Sequence, residues 1–175
     1  MSFHKNLDGQ SILSILFFYL LLSSFSTFAN NYSIYLVRHA EKLNDLKNPA
    51  LTVCGKARAR QLASLLSQTN ITHIYSTHTQ RTMQTATPLA NQQKIAIKNY
   101  NPKYLEQLSL KIQQQKANTL VVGHSKTTPR LVALLTKKTI APLSEQDYQQ
   151  LYQIQYIDQQ VVLTIFEQPL LCRKA

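Results

Sequence analysis

Apolar residues along this chain gather in four short runs, and each run gives way to a polar break and then to apolar positions spaced by three and four. Residues 32–37 are apolar with little alternation, which predicts a buried strand. The polar stretch that follows ends in Asn48-Pro49-Ala50-Leu51 and reads as a loop. Thr52 is the expected N-cap of a helix in which Ala57, Leu62, Ala63, Leu65 and Leu66 recur at three- and four-residue steps, and Gly55 near its start permits close backbone approach. A second strand at 73–76 breaks at Thr77-His78-Thr79 and leads into a helix over 80–90, which Pro88 is expected to end or kink. A brief strand at 95–97 precedes a helix over 102–116, with Pro102 in the first turn and Leu105, Leu108 and Ile112 on one face. Residues 119–122 form a wholly apolar strand running into Gly123-His124-Ser125, followed by a helix over 129–135. Beyond residues 144–148, two alternating stretches at 151–157 and 161–166 flank Asp158-Gln159-Gln160 and predict an antiparallel hairpin. Strand and helix alternating four times, then two strands, indicate one α/β domain. The expected form is a three-layer α/β/α sandwich with a mainly parallel sheet and a C-terminal antiparallel hairpin.

The N-terminus breaks this pattern. Residues 1–10 are polar, 12–22 form an apolar block, and small residues lead to Ala29. This is the layout of a signal peptide over 1–29, with the domain in 30–175. The competing expectation is an uncleaved anchor, since 12–28 nearly suffices to span a bilayer. Either way the domain is expected to be exported, to the periplasm, without stable membrane insertion once the leader is removed. Such a compartment permits disulfides. Cys54 and Cys172 have no metal-site spacing, and their pairing is left open by sequence. The formal net charge is +11, but Lys and Arg are scattered and no nucleic-acid motif is present, so the charge points to small anions rather than to nucleic acid.

Charge matters most where the strands end. Arg38-His39 closes the first strand, Gly123-His124-Ser125 the fourth, and the second leads to Arg81 at a helix start. Strand tips of a parallel sheet share one crevice. Two Arg, two His and nearby helix N-termini in that crevice describe an anion site, most naturally for phosphate. The ordered set of segments resembles the histidine phosphatase (phosphoglycerate mutase-like) superfamily. Leu36-Val37-Arg38-His39-Ala40-Glu41 is similar to its Arg-His-Gly motif, with Ala for Gly. Leu51-Thr52 with Gly55 and Ala59 is similar to its next segment. Residues 75–86, containing Arg81, resemble its second-arginine segment, and Val121-Val122-Gly123-His124-Ser125 its second-histidine segment.

The resemblance implies a metal-independent phosphomonoesterase with no cofactor. His39 would attack phosphorus to form a phosphohistidine, Arg38, Arg81 and His124 would hold the phosphoryl oxygens, and Ser125 would assist or cap the following helix. Ala40 fits only if its backbone needs no positive φ. The general acid is open: Glu106 lies between Arg81 and His124 as the family's acid often does, Glu41 lies two residues from the nucleophile, and some compact members use no obvious acid. An α/β-hydrolase reading of Gly123-His124-Ser125 fails because no histidine follows His124. A zinc site finds no motif. A non-catalytic phosphate-binding or scaffold domain of the same fold is the alternative from another class. The short span from Arg81 to His124 leaves little room for a lid, so a phosphatase with an open pocket is expected rather than a mutase. Its substrates would be small phosphorylated molecules, including phosphorylated envelope sugars and phosphorylated side chains.

Overall fold

The computed structural model describes residues 31–44, 47–158 and 160–169. The leader assigned to 1–29 and the second cysteine, Cys172, lie outside the described residues. The chain forms β1 (Tyr32–Arg38), α1 (Val53–Leu65), β2 (His73–Ser76), α2 (Gln80–Gln93), β3 (Ile97–Asn99), α3 (Leu105–Gln115), β4 (Thr119–Gly123), α4 (Thr127–Thr136), β5 (Gln150–Ile157) and β6 (Gln160–Glu167). One six-stranded sheet runs in the order β3-β2-β4-β1-β5-β6. The first four in that order are parallel; β5 adds antiparallel to β1, and β6 antiparallel to β5. The α/β expectation with its closing hairpin therefore holds.

The weak alternation of β1 has a direct cause: both of its faces are covered. Ile34 and Leu36 pack with Leu108 and Ile112 of α3 and Leu131 and Leu135 of α4. Tyr35 and Val37 pack with Leu62 of α1 and Ala86 and Leu89 of α2. The helices thus form two layers with the sheet between them. Among the described residues, no helix is long and apolar enough to cross a membrane.

Several boundaries differ from expectation, and three of them have a local reason. Pro88 neither ends nor shortens α2, which continues to Gln93. Leu89 and Ala90 are buried against the sheet, and that burial offsets the missing N–H. Lys94, at φ 56°, then turns the chain, and the Ile95 N–H bonds the Ala90 carbonyl. Ile95 and Ala96 are used in leaving the helix, so β3 begins only at Ile97, opposite Ile74. Residues 101–104 form a turn in which Tyr104 N–H bonds the Asn101 carbonyl and Lys103 N–H bonds Asn101 Oδ1, so α3 begins at Leu105 rather than at Pro102.

Two glycines hold the site's loops close. A Cβ on Gly55 would collide with the Glu41 backbone, because the start of α1 rests on the segment that follows His39. Thr52 secures that start by accepting from Gly55 N–H at 3.0 Å, as its N-cap position predicts. A Cβ on Gly123 would meet Thr128 Oγ1 at 2.7 Å and Tyr100 Oη at 3.0 Å.

Candidate active site

Sheet register brings the two histidines together. Arg38 pairs with Gly123 across β1 and β4, so the residues that follow each strand leave the sheet side by side. His39 N–H bonds the Gly123 carbonyl at 3.0 Å. The His39 and His124 rings stand edge to face, 5.5 Å between centroids. β2 lies on the other side of β4, and its tip delivers Thr77, whose Oγ1 is 2.9 Å from His124 Nε2. Arg81 arrives in the first turn of α2, from that same tip.

His39 is 3 % exposed, and its Nδ1 lies 2.8 Å from the Ala40 carbonyl. A carbonyl only accepts, so Nδ1 carries the proton and Nε2 carries the lone pair. Burial pushes the His39 pKa down to about 3, with Arg38, His124 and Arg81 adding to the fall against the opposing Ala40 bond. Burial likewise lowers His124 to about 4, reinforced by Arg81 and Arg38. Burial and the neighbouring Arg38 depress the Arg81 guanidinium from its ordinary value. Both rings are therefore neutral in a strongly cationic pocket. Arg38 is 3 % exposed, and the buried Nε atoms of Arg38 and Arg81 have no hydrogen-bond acceptor. Buried donors without acceptors beside two positive charges make a site that favours an anion.

Ala40 sits comfortably in place of glycine. It is buried, its N–H bonds Thr85 Oγ1 at 3.0 Å, and it is absent from the residues with positive φ.

Residues 34–101 match the model of the histidine phosphatase superfamily (branch 1). This match, together with the shared fold of the solved structures below, supports the histidine phosphatase superfamily. Solved structures with the same fold include the protein histidine phosphatase SixA complexed with tungstate (TM-score 0.63, 16 % identity, 77 % of this chain and 96 % of that one). A phosphoserine phosphatase from Entamoeba histolytica with 3-phosphoglyceric acid is similar at TM-score 0.59 and 16 % identity, over 78 % of this chain and 96 % of that one. A mycobacterial glucosyl-3-phosphoglycerate phosphatase is similar at TM-score 0.60 and 10 % identity, over 78 % and 98 %. No curated protein sequence matches the chain.

Arg38, His39, Arg81 and His124 share one electrostatic environment, since each arginine acts on both histidines. Ser125 also reaches it, but its hydroxyl donates to Glu145 Oε1 at 3.1 Å. The two sequence candidates for the acid are engaged elsewhere. Glu106 lies on the exposed side of α3 and pairs with Arg130 of α4 at 2.6 Å, so the structure brings it to another helix and not to the histidines. Glu41 takes three hydrogen bonds from the buried Arg58 of α1. That pair ties the loop after His39 to α1.

What sequence reasoning missed is the connection between α4 and β5. Arg38 Nη1 donates to the Ser144 carbonyl at 2.7 Å, and Nη2 to Glu145 Oε2 at 2.8 Å. The Tyr148 ring lies over the Arg38 guanidinium at 4.3 Å, a cation–π distance, with His39 beyond it at 6.0 Å between centroids. These residues carry no motif in sequence. Only their place just before β5, which pairs with β1, signals that they stand at the mouth of the site. The residues over Arg38 come from after His124, outside the Arg81–His124 span to which the expectation of little room for a lid applied. Among the described residues no cluster of His, Cys, Asp and Glu is suited to hold a metal ion.

Proposed function

We propose that this protein is an exported phosphomonoesterase that works through a phosphohistidine on His39. The observation that carries the reading is the neutral His39, its lone pair fixed on Nε2 by the Ala40 carbonyl, set among Arg38, Arg81 and His124. A nucleophile must be unprotonated at working pH, and this ring is held so by its surroundings. The phosphoryl group would enter against the guanidinium groups of Arg38 and Arg81, whose buried Nε–H donors await acceptors. Phosphoryl transfer depends chiefly on positioning and charge stabilisation, which these residues supply without a metal. His124, with Nε2 bonded to Thr77, offers its remaining ring nitrogen to a phosphoryl oxygen. The tungstate complex of SixA fits the same logic, tungstate being a tetrahedral oxyanion like phosphate.

Export is supported by the leader pattern of residues 1–29. The substrates would be small phosphomonoesters, phosphorylated envelope sugars among them. The phosphoserine and glucosyl-phosphoglycerate phosphatases of similar fold have names that point to small phosphorylated molecules.

The test is hydrolysis of an aryl phosphate in the presence of a chelator, with His39→Ala beside the wild type. The expected result is turnover by the wild type, loss of at least a thousandfold (~10³ or more) in the variant, and a labelled protein on brief exposure to radioactive substrate. Wild-type binding of phosphate without turnover would instead favour a phosphate-binding domain.

A further inference from the structure

The reaction proposed above lacks a proton donor. An alkoxide is a poor leaving group, and protonating it as the P–O bond breaks contributes about 10²–10⁴ in rate. The described carboxylates can be placed one by one. Glu41 is held by Arg58 and Glu106 by Arg130. Asp147 Oδ2 accepts from Ser144 N–H at 2.6 Å, Asp158 sits in the β5–β6 turn, and Glu167 ends β6 opposite Gln150. Glu145 alone among the described carboxylates touches the phosphate donors, receiving Arg38 Nη2 on one oxygen and Ser125 Oγ on the other.

Its position suits the task. Attacking and departing atoms lie on opposite sides of phosphorus in an in-line displacement. His39 is at the floor of the site, 3 % exposed, so the leaving oxygen departs through the mouth. Glu145 stands there, its side chain 75 % exposed above an Arg38 side chain 2 % exposed.

We propose that Glu145 is the acid–base carboxylate of this site, released from Arg38 and Ser125 when phosphoryl oxygens take those two donors. The proposal rests on the phosphomonoesterase reading. At rest, Glu145 is kept ionised by Arg38 first, then by Ser125, with Lys42 adding to the effect; Arg81 and Tyr148 also face it. A phosphate ester entering the site both removes the two hydrogen bonds and brings negative charge beside the carboxylate. Both changes favour its protonated form, and its exposure lets solvent supply the proton. The His39 Nε2 lone pair then forms the P–N bond, the P–O bond to the leaving group breaks, and the leaving oxygen takes the Glu145 proton. In the second step the Glu145 carboxylate accepts a proton from water, the water oxygen bonds phosphorus, and the P–N electron pair returns to Nε2. Water is the only co-reactant.

The test compares Glu145→Gln and Glu145→Asp with wild type on two substrates, an aryl phosphate whose leaving group needs little protonation and glycerol phosphate whose alkoxide needs it. The expected result is a kcat loss for Glu145→Gln at least about tenfold larger on glycerol phosphate than on the aryl ester. Glu145→Asp should recover part of it, and the basic limb of the kcat profile should vanish in Glu145→Gln. Equal losses on both substrates would overturn the proposal. So would a lower KM with unchanged kcat, since the carboxylate would then merely compete with phosphate for Arg38. Near-native thermal melting of both variants is expected from the exposure of Glu145. Failure of the parent reading is distinguishable: it appears as a wild type inactive on both esters, or as His39→Ala retaining activity on the aryl ester.

Discussion

Burial at His39 disfavours the protonated ring by more than the Ala40 carbonyl favours it, and the two arginines and His124 push the same way as burial. As the proposed nucleophile, His39 needs no base beside it. Free-protein ionisations govern kcat/KM, so neither His39 nor His124 should contribute a limb near pH 6.5. Ring resonances followed by NMR should show both histidines neutral at pH 5.5. A ring titrating near 6.5 at either position would contradict the assignment. The structure also explains why Ala40 serves where the family motif carries glycine: the backbone stays out of the left-handed region, and Thr85 Oγ1 accepts its N–H.

At the scale of elements, the site depends on how closely α1 approaches the segment after His39. Gly55 sits where a Cβ would strike the Glu41 backbone, and backbone cannot yield as a flexible side chain can. Gly55→Ala should therefore lower stability by about 1–3 kcal/mol, the usual cost of overpacking, read as an earlier urea midpoint. An unchanged midpoint would mean that α1 can shift freely. The strands, the capping role of Thr52 and the buried face of α3 were all legible in sequence, because each follows from local pattern or cap chemistry. The ends of α2 and α3 and the start of β3 were not, because burial of Leu89 and Ala90 and the turn at Asn101 decide them. The site divided likewise. Arg38, His39, Arg81 and His124 announced themselves at strand ends and in motifs. Glu145 and Tyr148 did not, since their contact with Arg38 spans more than a hundred residues of sequence and is created only when β5 pairs with β1. Glu106 matched by position along the chain, yet α3 turns it toward Arg130.

For the molecule as a whole, holding two histidines neutral has an energetic signature in acid. Their folded-state pKa values, about 3 and about 4, lie below the unfolded value near 6.5, so the unfolded chain binds more protons between those limits. Stability should be fully present above pH 6.5 and should fall as pH drops through that window. Chemical denaturation at pH 7, 5.5 and 4.5 would check this, with the wild type losing more than a His39→Ala variant over the same range. Equal losses would place the acid sensitivity elsewhere. The connection from α4 to β5 carries a different kind of consequence. The candidate anion-binding residues Arg38, His39 and His124 stand at tips of strands locked in the middle of the sheet, whereas the residues over Arg38 come from one stretch at the sheet's antiparallel side. Evolution can lengthen, shorten or rewrite that stretch while the central machinery stays intact, so lineages built on this plan are free to diversify in what they accept without reinventing how they react.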